Sequence, residues 1–261
     1  MTLLQTLGCR STHSSQEKNV KSKANITGVK LADLAPTGQI QSESKLNTSN
    51  FDLYIYQIPK HSVSQLDLLW SKLFRTPLRF ENSAAFSANS FVAGVSEYVM
   101  WAEVKKILDD LNAIRKEKVT LLIQDGASQI VRVRHMNKQK IHYRANNGKY
   151  ETANTERGIL TIQLKASKSI GKRGFCDVHF EPIYKAYNTK RFKLSGKKQS
   201  EIRFRAASFK LSMRPGQFFI VGPSHCMEND ITLGQMFFGT DNKTATMKLY
   251  MVVCTGVYLQ D

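Results

Sequence analysis

Acidic residues are the chain's main shortage. Its 261 residues carry 21 Asp and Glu against 38 Lys and Arg, a formal charge of +17. Cysteine is also sparse, at four residues, too few for a disulfide-built scaffold. No apolar run reaches the roughly 20 residues of a membrane-spanning helix, which excludes an integral helical membrane protein. The first fifty positions contain no Phe, Tyr or Trp. Such a stretch cannot offset its own ordering entropy by burial. A flexible tail or tether is expected over 1–50.

Catalytic signatures are missing as well. There is no Gly-x-Ser-x-Gly elbow, no phosphate loop and no dinucleotide fingerprint. Six histidines and four cysteines do not assemble into the two closely spaced pairs that structural zinc needs. Cys176 and His179 are three apart, so on a strand they point to opposite faces. These lacks point away from an enzyme and predict no metal and no cofactor. Global disorder is excluded too, because 41% of the residues are hydrophobic, enough for a real core.

What is present is unevenly placed. Residues 130–214 hold 21 basic and five acidic side chains, whereas 51–129 hold nine of each. Nearly all the excess charge therefore belongs to one segment. That asymmetry predicts an anionic partner: an acidic protein surface, nucleic acid or lipid headgroups.

Periodicity divides the rest of the chain. Residues 51–58 (FDLYIYQI) alternate and stop at Pro59, which reads as a strand. Leu66, Leu69, Trp70 and Leu73 share one face of a helix that Ser62 or Ser64 can cap. One or two short strands are expected between Leu78 and Val95. A longer helix is predicted over 96–117 from the spacing of Met100, Val104, Ile107, Leu111 and Ile114, with Ser96 as its cap. A strand over 119–123 then closes at an Asp125-Gly126 turn. After Gly126 all candidate elements are strands, at 129–135, 140–143, 158–164, 176–184, 201–210, 217–221 and 246–259, separated by Gly, Asn and Pro turns. The expected class is α+β: a tail over 1–50, a small α+β domain over 51–125, and a mainly antiparallel β domain over 126–261, either a sandwich or a strongly twisted sheet.

Two stretches resemble known families. Residues 1–9 (MTLLQTLGC) are similar to the end of a bacterial lipoprotein signal, with Thr6 where that pattern has Leu; the resemblance makes Cys9 the lipidation site. Residues 211–222 (LSMRPGQFFIVG), 231–238 (ITLGQMFF) and 247–253 (MKLYMVV) resemble the closing part of bacterial secretin domains, as in pore-less lipoprotein-like envelope proteins of planctomycete type. In that family a strand entered from a turn ends in glycine, a Leu-Gly-x-Phe-Phe type segment follows, and an apolar strand closes the fold. One glycine stands where the family has two, and no long hairpins precede it to wall a barrel. The resemblance implies an envelope protein that has lost the pore.

The expected function is a non-catalytic binding and assembly protein, a scaffold of the bacterial cell envelope. It would dock on an acidic protein, a large enzyme complex ordered into arrays being one form, with homo-oligomerisation and a lipid anchor as further expectations. The candidate partner-binding residues are Arg132, Arg134, Lys172, Arg173, Lys190, Arg191, Lys197, Lys198, Arg203 and Arg205. In 130–134 (IVRVR) and 202–206 (IRFRA) the arginines alternate with apolar residues, so each pair is expected on one solvent face. The alternative is a basic β-protein that binds nucleic acid, since aromatics interleave the cations.

Overall fold

The alternation at 51–58 does form a strand, and that strand is the middle of a larger structure. A computed structural model describes residues 47–187, 201–224, 232–240 and 246–258, all within one compact unit, Lys45–Asp261. Residues 1–46, with Cys9, and the cations Lys190, Arg191, Lys197 and Lys198 lie outside the described residues.

The first elements are β1 (Thr48–Pro59), a 3-10 helix (Lys60–Leu66), α1 (Asp67–Ser71), β2 (Arg79–Phe80), α2 (Ser83–Ala88), β3 (Phe91–Glu97), α3 (Trp101–Asp110) and β4 (Ile114–Gln124). Then come β5 (Ser128–Met136), β6 (Gln139–Arg144), β7 (Tyr150–Thr155), β8 (Gly158–Lys168) and β9 (Cys176–Ala186). The chain finishes with β10 (Glu201–Arg203), β11 (Phe209–Met213), β12 (Gln217–Pro223), α4 (Leu233–Phe238) and β13 (Thr246–Tyr258). The class is α+β, rich in antiparallel strands.

One sheet has the order β3-β12-β13-β1-β4, and a second has β2-β11-β9-β8-β5 with β10 also paired to β9. Strands β6 and β7 form a separate hairpin. Period-two alternation gives the first sheet two apolar faces. Phe219 on one face meets Phe180 and Phe209 of the second sheet at 6.2 and 5.3 Å, both edge-on. Phe218 on the other face meets Trp101 of α3 at 6.1 Å. On that same side a Cβ at Gly222 would collide with Leu249, so β12 and β13 need a bare backbone there. Helices α1 and α3, the first sheet and the second sheet are thus three layers, while α2 and α4 pack on the second-sheet side through Phe86 against Phe209 and Phe238 against Tyr250.

Several expectations change. Thr48, Ser49 and Asn50 belong to β1, because β13 on one side and β4 on the other pair their backbone groups. The predicted helix over 96–117 is confined to Trp101–Asp110. Ser96 lies in β3, not at a cap; Asn112 turns left-handed at φ 54°, and Ile114–Glu117 join β4 against β1. The strand expected over 201–210 is broken by a 3-10 helix, Arg205–Ala207. Helices α2 and α4 and strand β7 had no reading in the periodicity. The boundary at 125/126 does not separate two domains, since β12 and β13 are inserted between β3 and β1. The Asp125-Gly126 turn is a corner between sheets, not a hairpin turn: Asp125 N–H donates to the Asn47 carbonyl and Gly126 N–H to the Ala166 carbonyl.

The closing segment behaves as its sequence predicts. β13 is one long strand, with Met247, Leu249 and Met251 buried on one face and Tyr250, Val252 and Cys254 on the other. Gly216 has φ 87°, a region that costs other residues strain, and its N–H donates to the Cys254 carbonyl at 2.9 Å. Open space surrounds the position of a Cβ there, so strain alone is at issue. Gly216→Val is expected to destabilise the fold by about 1–3 kcal/mol. Urea unfolding would show this as a lower midpoint with an unchanged slope.

Candidate docking face

The second sheet turns one face to the core and the other outward. On β8, Leu160, Ile162, Leu164 and Ala166 point inward; on β9, Val178 and Phe180; on β11, Phe209, Leu211 and Met213; on β2, Phe80. Their sequence neighbours necessarily point outward. The register then decides which outward residues meet. Lys165 of β8 is paired with His179 of β9, His179 with Lys210 of β11, and Lys210 with Arg79 of β2. At about 4.8 Å per strand, the four side chains form a row roughly 14 Å long.

Like charges directly opposite on neighbouring strands repel, which applies here to Lys210 and Arg79, while Lys165 and Lys210 flank the imidazole of His179. Lys165 and Lys210 are exposed and have no ion pair among the described residues. Arg79 approaches Asp177 in the next row at 4.0 Å. His179 is half-buried, and its Nε2 is buried without a hydrogen-bond partner. Burial holds its pKa below the usual histidine value; Lys210 and Lys165 push the same way, while Glu181 and Glu81 oppose them.

A second row crosses the same side of the sheet, but its middle residues, Thr161 and Ile183, are buried. Arg132 of β5 is paired with Thr161, Thr161 with Ile183, and Ile183 with Arg203 of β10. Arg132 is exposed with no ion pair among the described residues. Arg203 is instead held by Glu181 at 2.8 Å and Glu201 at 2.7 Å, and Glu181 itself is buried. Arg203 therefore neutralises a carboxylate of its own sheet and has less charge to offer a partner.

The expected pairing of Arg132 with Arg134 on one face fails. A β-bulge between them places Arg134 opposite Leu160, on the inward side. There it is half-buried, and its Nη1 lies 3.5 Å from the Met236 carbonyl of α4. Arg205 separates from Arg203 for a similar reason, having left the strand for the 3-10 helix. Lys172 and Arg173 are exposed in the β8–β9 loop, with the Lys172 ammonium 5.8 Å from the Phe175 ring centre. Lys172 and Arg79 both line a cleft of about 450 Å³, so the loop cation and one end of the row meet there.

Lys165, Lys210, Arg79 and His179 were not among the sequence candidates. A partial signal existed: Lys165 stands between Leu164 and Ala166, and Lys210 between Phe209 and Leu211. The strand register that aligns them is not local. Among the described residues no group of three or more His, Cys, Asp or Glu could hold a metal ion. No described helix is long and apolar enough to cross a membrane.

No protein-family model matches the chain, and comparison with characterised proteins gives no match. Among solved structures it is similar to the InvG secretin domain beta-barrel from the Salmonella SPI-1 injectisome NC-base, with a TM-score of 0.25 and 9% identity. The match covers 83% of this chain and 64% of that one, so the chain spans less than two thirds of it. This is a weak secretin-like likeness and carries no argument about function.

Acidification tests the half-buried histidine. His179 binds its proton less readily when folded than when unfolded, so stability is present above the ordinary value of 6.5 and falls as pH drops through it. Between pH 7 and pH 5 the wild-type protein is expected to lose more stability than His179→Gln, measured by urea midpoints at each pH.

Proposed function

We propose that the chain is a non-catalytic binding and assembly protein whose second sheet docks, outer face first, on an acidic protein surface. The observation that supports this reading is the row Lys165–His179–Lys210–Arg79. Its repulsion works against folding, and an anionic partner relieves that repulsion on binding. The cleft beside Arg79 and Lys172 suits an acidic side chain. Long-range attraction from the same charge speeds encounter and makes binding fall with salt. A bacterial envelope location, a lipid on Cys9 and a part in a larger ordered complex belong to this reading; residues 1–9 and the closing unit over 211–253 support the first two.

One observation favours nucleic acid as a second reading. On the β6–β7 hairpin, exposed Tyr150 stacks on His142 at 6.2 Å, and the Arg144 guanidinium lies 5.1 Å from its ring centre. An aromatic ring between an imidazole and a guanidinium is a platform for an unpaired base. Tyr143, Phe180, Tyr184 and Phe204 are instead packed in the core or against it.

The double substitution K165E/K210E is expected to weaken binding to polyglutamate about tenfold or more, given up to about 1 kcal/mol per exposed pair and added repulsion. The circular dichroism spectrum and unfolding midpoint should not fall. A salt-dependent preference for a random single-stranded oligonucleotide, lost in R144A/Y150A but kept in K165E/K210E, would establish the second reading instead.

A further inference from the structure

Two of the chain's four cysteines meet where the two sheets are joined. Cys176 opens β9 in the second sheet and is paired with Met213, the last residue of β11. The chain then crosses to the first sheet in three residues, Arg214, Pro215 and Gly216. At the far foot of that corner, the Gly216 N–H donates to the carbonyl of Cys254 on β13. Each cysteine thus stands at one end of a crossing too short to let the sheets separate. Both side chains are fully buried, Cys176 on the inward face with Val178 and Phe180, Cys254 on the facing side with Val252 and Tyr250. The two thiols are close enough to perturb each other, Cys254 holding Cys176 below the ordinary cysteine value and being pushed up in return, and the Cys176 thiol donates to the Met213 carbonyl at 3.7 Å.

We propose that Cys176 and Cys254 form a disulfide that links the two sheets when the chain folds in the presence of a small-molecule disulfide such as oxidised glutathione. In the first step a Cys176 thiolate attacks one sulfur of the donor. A mixed disulfide forms on Cys176 and one donor thiolate leaves. In the second step Cys254, having lost its proton to solvent, attacks the Cys176 sulfur and expels the second donor thiolate. The protein loses two protons and two electrons, and the donor disulfide becomes two thiols. Before the layers close both thiols are open to the donor, and the same two steps with the cysteines exchanged give the same bridge. Because both thiols are enclosed in the native fold, oxidation belongs to the folding reaction, before the layers close. The bridge closes a long loop and constrains the unfolded chain, so it raises stability where compartment chemistry permits it. It stands independently of the docking reading, since the cationic row lies on the opposite face of the sheet.

The test uses the full chain with Cys9→Ser and Cys226→Ser, unfolded and then refolded in glutathione redox buffer. After denaturing alkylation, the expected species is lighter than the reduced chain by two hydrogens and carries no alkyl or glutathione group. Its guanidinium midpoint should be higher than that of the same protein treated with reductant, and Cys254→Ala should abolish both results. Two alkylated thiols, or glutathione adducts only, on a correctly refolded chain would overturn the proposal. If Cys254→Ala fails to fold, the oxidised and reduced forms of the parent protein still decide the matter.

Discussion

The pairing of β1 with β13 is the constraint on which the structure depends. Twelve residue pairs join positions roughly 190 to 210 apart in the chain, from Thr48 with Tyr258 to Pro59 with Thr246. Without β13, the β3–β12 pair and the β1–β4 pair share no edge, and the first sheet does not exist. The inward row of that sheet, Phe219 included, would then have nothing to hold it against Phe180 and Phe209. Loop-closure cost rises only slowly with loop length, so a contact this distant is thermodynamically tolerable. A topology dominated by such contacts belongs to the slow-folding class.

The rigidity of this core explains how the outer face can keep charges that repel. Lys165 and Lys210 cannot move apart by sliding their strands, because Leu164, Phe180 and Phe209 beneath them are buried in fixed register. A one-residue slip would turn every inward aromatic to solvent, at about 1.5–3 kcal/mol for each large side chain. That exceeds the repulsion between exposed cations by a wide margin. The sheet therefore holds an unfavourable surface field in place.

Local bends decide which cations share that face. The bulge between Arg132 and Arg134 keeps Arg132 outside and carries Arg134 toward α4. The break at Arg205–Ala207 lets β10 and β11 run in line along one side of β9, with Arg203 over Glu181 and Lys210 beside His179. The 214–216 corner has a comparable role between the layers: it brings Cys176 and Cys254 to one point in the core and is braced by Arg214 on Glu97 at 2.7 Å.

Strand periodicity, turn residues and the concentration of charge in 130–214 were legible in the sequence, because each depends on neighbours one to four residues away. They predicted β1, β5, β8, β9, β12 and β13 within a few residues, and the turn that Pro215 and Gly216 make before β12. The end of α3 was not legible, since the apolar spacing continues through Ile114 while β1 draws that residue into a strand. Neither was the single unit: Phe91–Glu97 and Gln217–Pro223 contain no mark of their partnership. The cationic row was missed for the same reason. Composition and alternation by themselves determined that this chain makes an α+β, strand-rich fold with one strongly basic segment. Only tertiary structure decided which cations stand together and which cysteines meet, because register and sheet order are set by packing between residues far apart in the chain.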